Sequence, residues 1–276
     1  MMGKLYLCGT PIGNLEDITF RALRILKEVD VVYAEDTRHS IRLLNHFEIS
    51  KPLHSYHEHN QEKAGKEIIE KIKNGDQIAL ITDAGMPGIS DPGHDLVKLC
   101  ITEEIPFEVV PGVTAFTTAL VGSGLPTDRF AFEGFLSRDK KQKKQILERI
   151  KRETRTLIFY ESPHRFKDTL KQMFDILGER EVVVARELTK KFEEYRHGSF
   201  ESLIAYYSEN EIRGEIVLIV SGSAEGEEAE VSFDPEISIE AHVNSFVEGG
   251  MDKKEAMKKV AVLRGLKKSE VYKALL

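Results

Sequence analysis

A chain of 276 residues, 41% hydrophobic and 31% charged, has the composition of an ordinary globular protein and is long enough for two domains. No apolar run approaches the roughly 18–20 residues of a membrane span, and the opening MMGKLYLCGTPIG has too short an apolar core for a secretory signal, so the cytoplasm is the expected compartment and no membrane the expected partner. The net charge of −7 argues against a protein that coats nucleic acid unspecifically.

In chain order the predicted elements alternate. KLYLCG (4–9) reads as a strand ending in a Gly-Thr-Pro loop, and DITFRALRILKEV (17–29) as a helix with Ile18, Ala22, Ile25 and Val29 on one face. DVVYAE (30–35) is a strand running into Asp-Thr-Arg, followed by helices at 40–47 and 61–73, the second stopped by Asn74-Gly75. Strands at 77–82 and 107–112 flank a helix at 93–104, and a helix at 113–124 ends in glycine. The pattern restarts near Leu125-Pro126: strand 130–136, basic helix 139–152, strand 156–162, helix 163–177, and strands at 181–187 and 215–222. This order predicts an α/β protein of two domains, 1–122 and 123–223, with largely parallel sheets covered by helices and a hinge near 122–127. AEGEEAE, with four glutamates in seven positions, predicts an acidic linker over 224–235. Residues 236–276 read as three short helices broken at Gly249-Gly250 and Arg264-Gly265, a small appended module.

Charge is uneven along this frame. From Arg138 to Arg155 nine bases meet three acids, and from Gly249 to Leu276 eight bases meet three acids. The first run is either a solvated helix face or, in a chain of net charge −7, a surface that tracks phosphates. Cys8 and Cys100 lie outside any CxxC pair and read as small buried apolar groups, a reactive thiol being the other reading.

Three of the predicted strands end in Gly/Pro-rich turns: GTPIGN (9–14), TDAGMPGISDPG (82–93) and PGVTA (111–115). Ligands of parallel α/β sheets bind at the carboxyl ends of the strands. Glycines let the backbone approach a ligand closely and prolines fix the loop. The central loop carries Asp83 and Asp91 but no lysine or arginine, and neither GxGxxG in the first turn nor GxxxxGK[ST] anywhere is present. That combination disfavours a di- or triphosphate and suits a cationic or zwitterionic ligand held by backbone groups. The plainer alternative is three tight turns with no ligand.

GTPIGNLEDIT (9–19), AEDTR (34–38), TDAGMPGISDPG (82–93), VVPGVTA (109–115), FYESPHR (159–165), ARELTK (185–190) and GEIVLIV (214–220) together closely resemble the RsmI-type family of 16S ribosomal RNA cytidine 2′-O-ribose methyltransferases, within the tetrapyrrole-methylase superfamily. The likeness covers about residues 3–222, and the tail resembles the helical module many members carry. It implies a two-domain fold with S-adenosylmethionine in the interdomain cleft, a homodimer, and 16S rRNA within the small ribosomal subunit as partner, methylated on a cytidine ribose of the decoding region. By position it implies cofactor contacts from Thr10, Pro11, Asp83, Ala84, Gly85, Met86, Pro87, Ser90, Val113, Thr114, Ala115, Ser162 and Pro163. Met86 departs from the family pattern, which leads one to expect a small polar residue there.

A ribose 2′-hydroxyl is almost wholly protonated at neutral pH, so placement and a base within hydrogen-bond reach are what the chemistry demands. Glu35, Asp36 and Arg38, at a strand's carboxyl end, are the catalytic candidates: one carboxylate could pair with Arg38 while the other faces substrate, or Asp36 could simply cap the following helix. Arg165 and His164 could hold RNA phosphate, or Arg165 could merely pair with Glu161. His57, in HSYHEH, is expected in a polar loop lining the substrate cleft rather than on a metal. Arg138, Lys140, Lys141 and Lys144 of the basic run, with Lys267 and Lys268 of the tail, complete the expected RNA contacts. Two further readings stay open: a tetrapyrrole methylase of the same fold, and a non-catalytic RNA-binding assembly protein.

Overall fold

The structure, a computed structural model, describes residues 2–224, 237–248 and 251–275. The chain divides into two compact units, Met1–Ser223 and Ala224–Leu276.

The first unit holds two five-stranded sheets. The first consists of β1 (Lys4–Cys8), β2 (Val31–Ala34), β3 (Leu53–Ser55), β4 (Gln77–Ile81) and β5 (Phe107–Val110), in the order β3-β2-β4-β1-β5 and parallel throughout. Both faces are covered. Leu5, Leu7 and Tyr33 pack with α3 (Gln61–Lys73) and α4 (Gly93–Thr102) through Ile68, Ile72 and Leu96. Cys8, Val32 and Ala34 pack on the other side with α1 (Phe20–Glu28) and α2 (Thr37–His46) through Ile25, Leu26 and Leu44. Strands buried on both faces are written as continuous apolar runs, which is why VVYA and QIALI were legible as strands. Cys8 and Cys100 are fully buried, and burial pushes their thiols up to about 12 and about 11, so neither is poised to react.

The second sheet consists of β6 (Phe130–Phe135), β7 (Thr156–Glu161), β8 (Glu181–Arg186), β9 (Glu194–Ser199) and β10 (Ile216–Val220), in the order β6-β7-β10-β8-β9. It corrects the expectation of largely parallel sheets: only β6 and β7 run parallel, and the other three pairings are antiparallel. The cause is a hairpin-like return, β9, which the polar sequence EYRHGS did not announce as a strand; an edge strand needs only one apolar neighbour. Helix α8 (Phe200–Glu209) was missed with it, and Leu53–Ser55, expected as loop, is edge strand β3. One face of this sheet packs under α6 (Lys140–Arg149), α7 (Pro163–Leu177) and α8 through Leu147, Phe166, Leu170 and Phe200. The other face is covered by α5 (Ala115–Ser123), whose Ala119 and Leu120 pack on Ile158, Val183 and Ile219. The sequence grouped this helix with the first domain, yet its buried side chains face the second sheet.

The second unit is three helices, α9 (Ile239–Glu248), α10 (Lys253–Leu263) and α11 (Lys268–Lys273), around Val243, Ala256, Val260 and Val271. Apart from Ala224, the acidic linker expected over 224–235 lies outside the described residues, as does the expected Gly249-Gly250 break. Among the described residues no helix is long and apolar enough to cross a membrane.

Candidate functional site

The carboxyl ends of β1, β4 and β5 come together. Thr10 and Gly85 exchange backbone hydrogen bonds of 2.9 and 3.2 Å, and the Thr10 hydroxyl donates to the Thr82 carbonyl at 3.1 Å. Gly85 sits at φ 85°, a left-handed conformation that glycine adopts without strain. The loops after β1 and β5 touch backbone to backbone: a Cβ on Gly9 would lie 2.8 Å from the Cα of Gly112. Met86 spans the same junction, its sulfur accepting from the Gly112 N–H at 3.1 Å. A longer side chain than the family pattern suggests therefore serves as a brace between loops. Asp91 closes the central loop on itself, accepting from the N–H groups of Gly88 and Gly93 at 2.7 and 2.9 Å. Burial pushes its carboxyl up, while those backbone bonds favour the charged form.

These loops and the ends of β7 and β10 enclose a cavity of about 410 Å³. Asp83, Ala84, Gly85, Met86, Ser90, Thr114, Ala115, Ser162 and Pro163 line it, whereas Pro87 and Val113 belong to the same loops without lining it. Thr10 and Pro11 instead line an adjoining cavity of about 250 Å³, together with Gly13, His39, Ser40, Arg42 and Lys190. The two cavities share Ile12, Thr82, Asp83, Ala84 and Glu215. Sequence reasoning missed Tyr160, Glu161 and Glu215 as cavity walls. Glu161 and Glu215 were in view, in ESPHR and GEIVLIV, but nothing in one strand's sequence says which end of it meets the other sheet.

Among the described residues, five carboxylates line the larger cavity, Glu35, Asp83, Asp91, Glu161 and Glu215, and no lysine or arginine does. Apolar groups, among them Ile12, Phe135, Tyr160 and Val217, supply the rest of its wall. Such a site repels phosphate and attracts a positive charge carried on an apolar body.

The adjacent acids Glu35 and Asp36 have opposite environments. Glu35 lines the cavity, accepts the Thr82 hydroxyl at 2.9 Å, and has its carboxyl pushed up, chiefly by burial. Asp36 caps α2, accepting the Arg38 N–H at 2.8 Å, and holds the Arg38 guanidinium at 2.7 and 3.1 Å. Those bonds hold its carboxyl well below the usual range. Neither Asp36 nor Arg38 lines either cavity. On the opposite wall Glu161 accepts the Thr169 hydroxyl at 2.6 Å and the Ser162 N–H at 2.8 Å, and Arg165 stands 3.5 Å away. Arg165 also donates to the Leu136 carbonyl at 2.7 Å, which ties the β6 end loop to α7.

Arg138, Lys140, Lys141 and Lys144 are exposed at the start of α6, and His164 is exposed at the start of α7. Lys143 points inward, donating to Thr169 at 3.2 Å, and burial pulls its ammonium below the usual range. His57 is half-buried, its ring 5.9 Å from that of His59, and among the described residues no group of three metal-ligating side chains includes them. Lys267 and Lys268, exposed, open α11 in the second unit.

The family description "Tetrapyrrole (Corrin/Porphyrin) Methylases" matches residues 4–204. A Halalkalibacterium halodurans protein named ribosomal RNA small subunit methyltransferase I is 52% identical over 98% of this chain and 93% of its own length. A Bacillus subtilis protein of the same name is 50% identical over 99% and 94%. A solved uroporphyrin-III C-methyl transferase from Thermus thermophilus, described as complexed with S-adenyl homocysteine, superposes with a TM-score of 0.57 over 79% of this chain and 97% of its own, at 23% identity, a likeness of fold.

Proposed function

The chain belongs to the tetrapyrrole (corrin/porphyrin) methylases and, within them, to the ribosomal RNA small subunit methyltransferase I group; on that premise we propose that it transfers a methyl group from S-adenosylmethionine to the ribose 2′-oxygen of a cytidine in 16S rRNA, in the decoding region of the small subunit. The observation that carries this reading is the acidic cavity at the ends of β1, β4 and β5, free of lysine and arginine among its lining residues. Bound there, the donor supplies a methyl group on a sulfonium cation, which carboxylates stabilise and phosphate-binding sites do not.

The roles of this chain's residues follow from their places. The loop Asp83–Met86, with Thr114 and Ala115, forms one wall and Ser162–Pro163 the other, so both sheets hold one ligand and fix its orientation. Glu35 is the general base. The 2′-oxygen attacks the methyl carbon, the carbon–sulfur bond breaks with its electron pair left on sulfur, and the hydroxyl proton passes to the Glu35 carboxylate and on to solvent. A carboxylate raised by burial is a stronger acceptor of that proton than Asp36, which Arg38 keeps charged and occupied. Asp36 and Arg38 position Glu35 by fixing the start of α2, and the Asp36 N–H orients Asp83 through a 3.1 Å bond.

The exposed lysines of α6 and the lysines of α10 and α11 in the second unit supply phosphate contacts with the RNA. A homodimer is supported by the edge strand β5, whose Phe107 and Val109 are 36% and 49% exposed, an apolar edge that a second copy would cover. Sedimentation of the purified chain at micromolar concentration reads this directly.

The test of the function mixes the protein with labelled S-adenosylmethionine and undermodified small subunits and maps the label by nuclease digestion and mass spectrometry. Label on a cytidine ribose 2′-oxygen is the expected result. Donor binding without labelled RNA would move the acceptor to a tetrapyrrole or another small molecule.

A further inference from the structure

We propose that the adjoining cavity of about 250 Å³ is the pocket that receives the single ribonucleotide to be methylated, and that Ser40, His39 and Arg42 of α2 are its recognition residues. This rests on the methyl-transfer reading above and goes beyond it by naming where the acceptor sits. Four observations point there.

The first is size and connection. The cavity lies just below the roughly 300–1,000 Å³ of pockets that hold a drug-sized ligand, a size that suits one base with its sugar. Its shared wall with the larger cavity, Ile12 and Thr82–Ala84, brings a group in one space against a group in the other. Glu35, bonded to Thr82, stands at that junction.

The second is an orphaned donor. Ser40 is 3% exposed, lines this cavity, and its hydroxyl has no hydrogen-bond partner. A buried polar group without a partner costs stability, and native structures tolerate it chiefly where a ligand or water completes it. A nucleoside carries ring and ribose groups of the kind that complete a hydroxyl.

The third is cationic charge with nothing to neutralise it. Arg42 and His39 are exposed, three residues apart on one face of α2. The Arg42 guanidinium enters no ion pair or hydrogen bond among the described residues. Lys190, by contrast, is held by Glu187 and Glu215 at 3.1 and 3.0 Å and serves as wall.

The fourth is polarity along the path. Anionic side chains, Asp83 and Glu215, lie at the shared wall and cationic ones at α2. A nucleotide enters with its phosphates toward Arg42 and its sugar toward the carboxylates, the order in which the reacting oxygen reaches the junction.

The test compares wild type, Arg42→Glu and Ser40→Leu for S-adenosylhomocysteine affinity by calorimetry and for methyl transfer to undermodified small subunits. Arg42→Glu is expected to raise KM about tenfold, the loss of one charge-assisted phosphate contact, with kcat and S-adenosylhomocysteine affinity within twofold. Ser40→Leu fills the cavity and is expected to lower kcat/KM at least about a hundredfold with the same retained affinity. Wild-type KM and kcat in either variant overturn the pocket. Should Ser40→Leu lose S-adenosylhomocysteine affinity through misfolding, the exposed Arg42→Glu decides alone. Should the wild type transfer nothing to RNA, the proposed reaction falls by itself, and the pocket is judged by irradiating the protein with a short oligoribonucleotide carrying one 5-iodocytidine. A crosslink within residues 37–46 keeps the pocket, and its absence there overturns it.

Discussion

Glu35 and Asp36 are neighbours in sequence that differ in what surrounds them, and the difference can be measured. Glu35→Gln is expected to lower the methyl-transfer rate by about 10²–10⁴, the usual worth of a general base, while S-adenosylhomocysteine affinity stays near wild type. The same substitution is expected to raise Tm at pH 7. Burial raises the Glu35 carboxyl in the folded state, so its ionised form is disfavoured there relative to the unfolded chain. That penalty is present above the folded-state pKa and vanishes below the ordinary carboxylate value. The Tm gap between variant and wild type should therefore close as pH falls through that window; a gap constant with pH would mean that Glu35 is not under this strain. Gly85→Val tests the cup itself. At φ 85° a branched side chain is strained by about 1–3 kcal/mol, so S-adenosylhomocysteine binding should be lost with RNA affinity nearly intact. Equal collapse of both would reject the separation of cup from RNA surface. The sequence made the acidic pair beside Arg38 visible; Asp36 is the cap and the partner of Arg38, and Glu35 is the one that faces the cavity. Which acid faced the cavity depended on where the chain turned into α2, at Asp36 rather than near Ser40, and cap geometry is the least legible part of a helix.

At the scale of elements, α6 shows that nine bases in a run are not equivalent. Lys140, Lys141 and Lys144 face solvent, while Lys143 bonds Thr169, which in turn bonds Glu161 at the cavity wall. Replacing the three exposed lysines with glutamate should weaken RNA binding and reduce the slope of log affinity against log salt by about three, measured by filter binding across a salt series. An unchanged slope would remove α6 from the RNA surface. The expected RNA contacts left Lys143 out, and the helix phase set by Ile146 and Leu147 turns it inward. Strands followed the same logic. Runs buried on both faces, such as VVYA and VLIV, announced themselves, whereas the edge strands LHS and EYRHGS, with one paired side and polar faces, did not. Missing β9 concealed the antiparallel half of the second sheet.

For the whole molecule, the two compact units predict separable duties. A chain ending at Ser223 should fold and bind S-adenosylhomocysteine as the full chain does, since among the described residues none that lines either cavity lies beyond Val217. Its KM for small subunits should rise and depend less steeply on salt than the full chain's, because fewer phosphate contacts remain; a KM equal to the full chain's at every salt concentration would take the lysines of α10 and α11 out of RNA binding. Within the first unit the division is less clean. Helix α5 leaves the loop after β5 of one sheet and buries Ala119 and Leu120 against the other, where Ile12 from the loop after β1 joins it. The second sheet thus completes its core with chain borrowed from the first half, whereas the two cores of the first sheet are built wholly from residues 5–110. Melting should accordingly be a single event for residues 1–223, with calorimetric and van't Hoff enthalpies in agreement, and severing the chain between α5 and β6 should leave the second fragment, stripped of the helix that covers Ile158, Val183 and Ile219, unstructured until the first is added back.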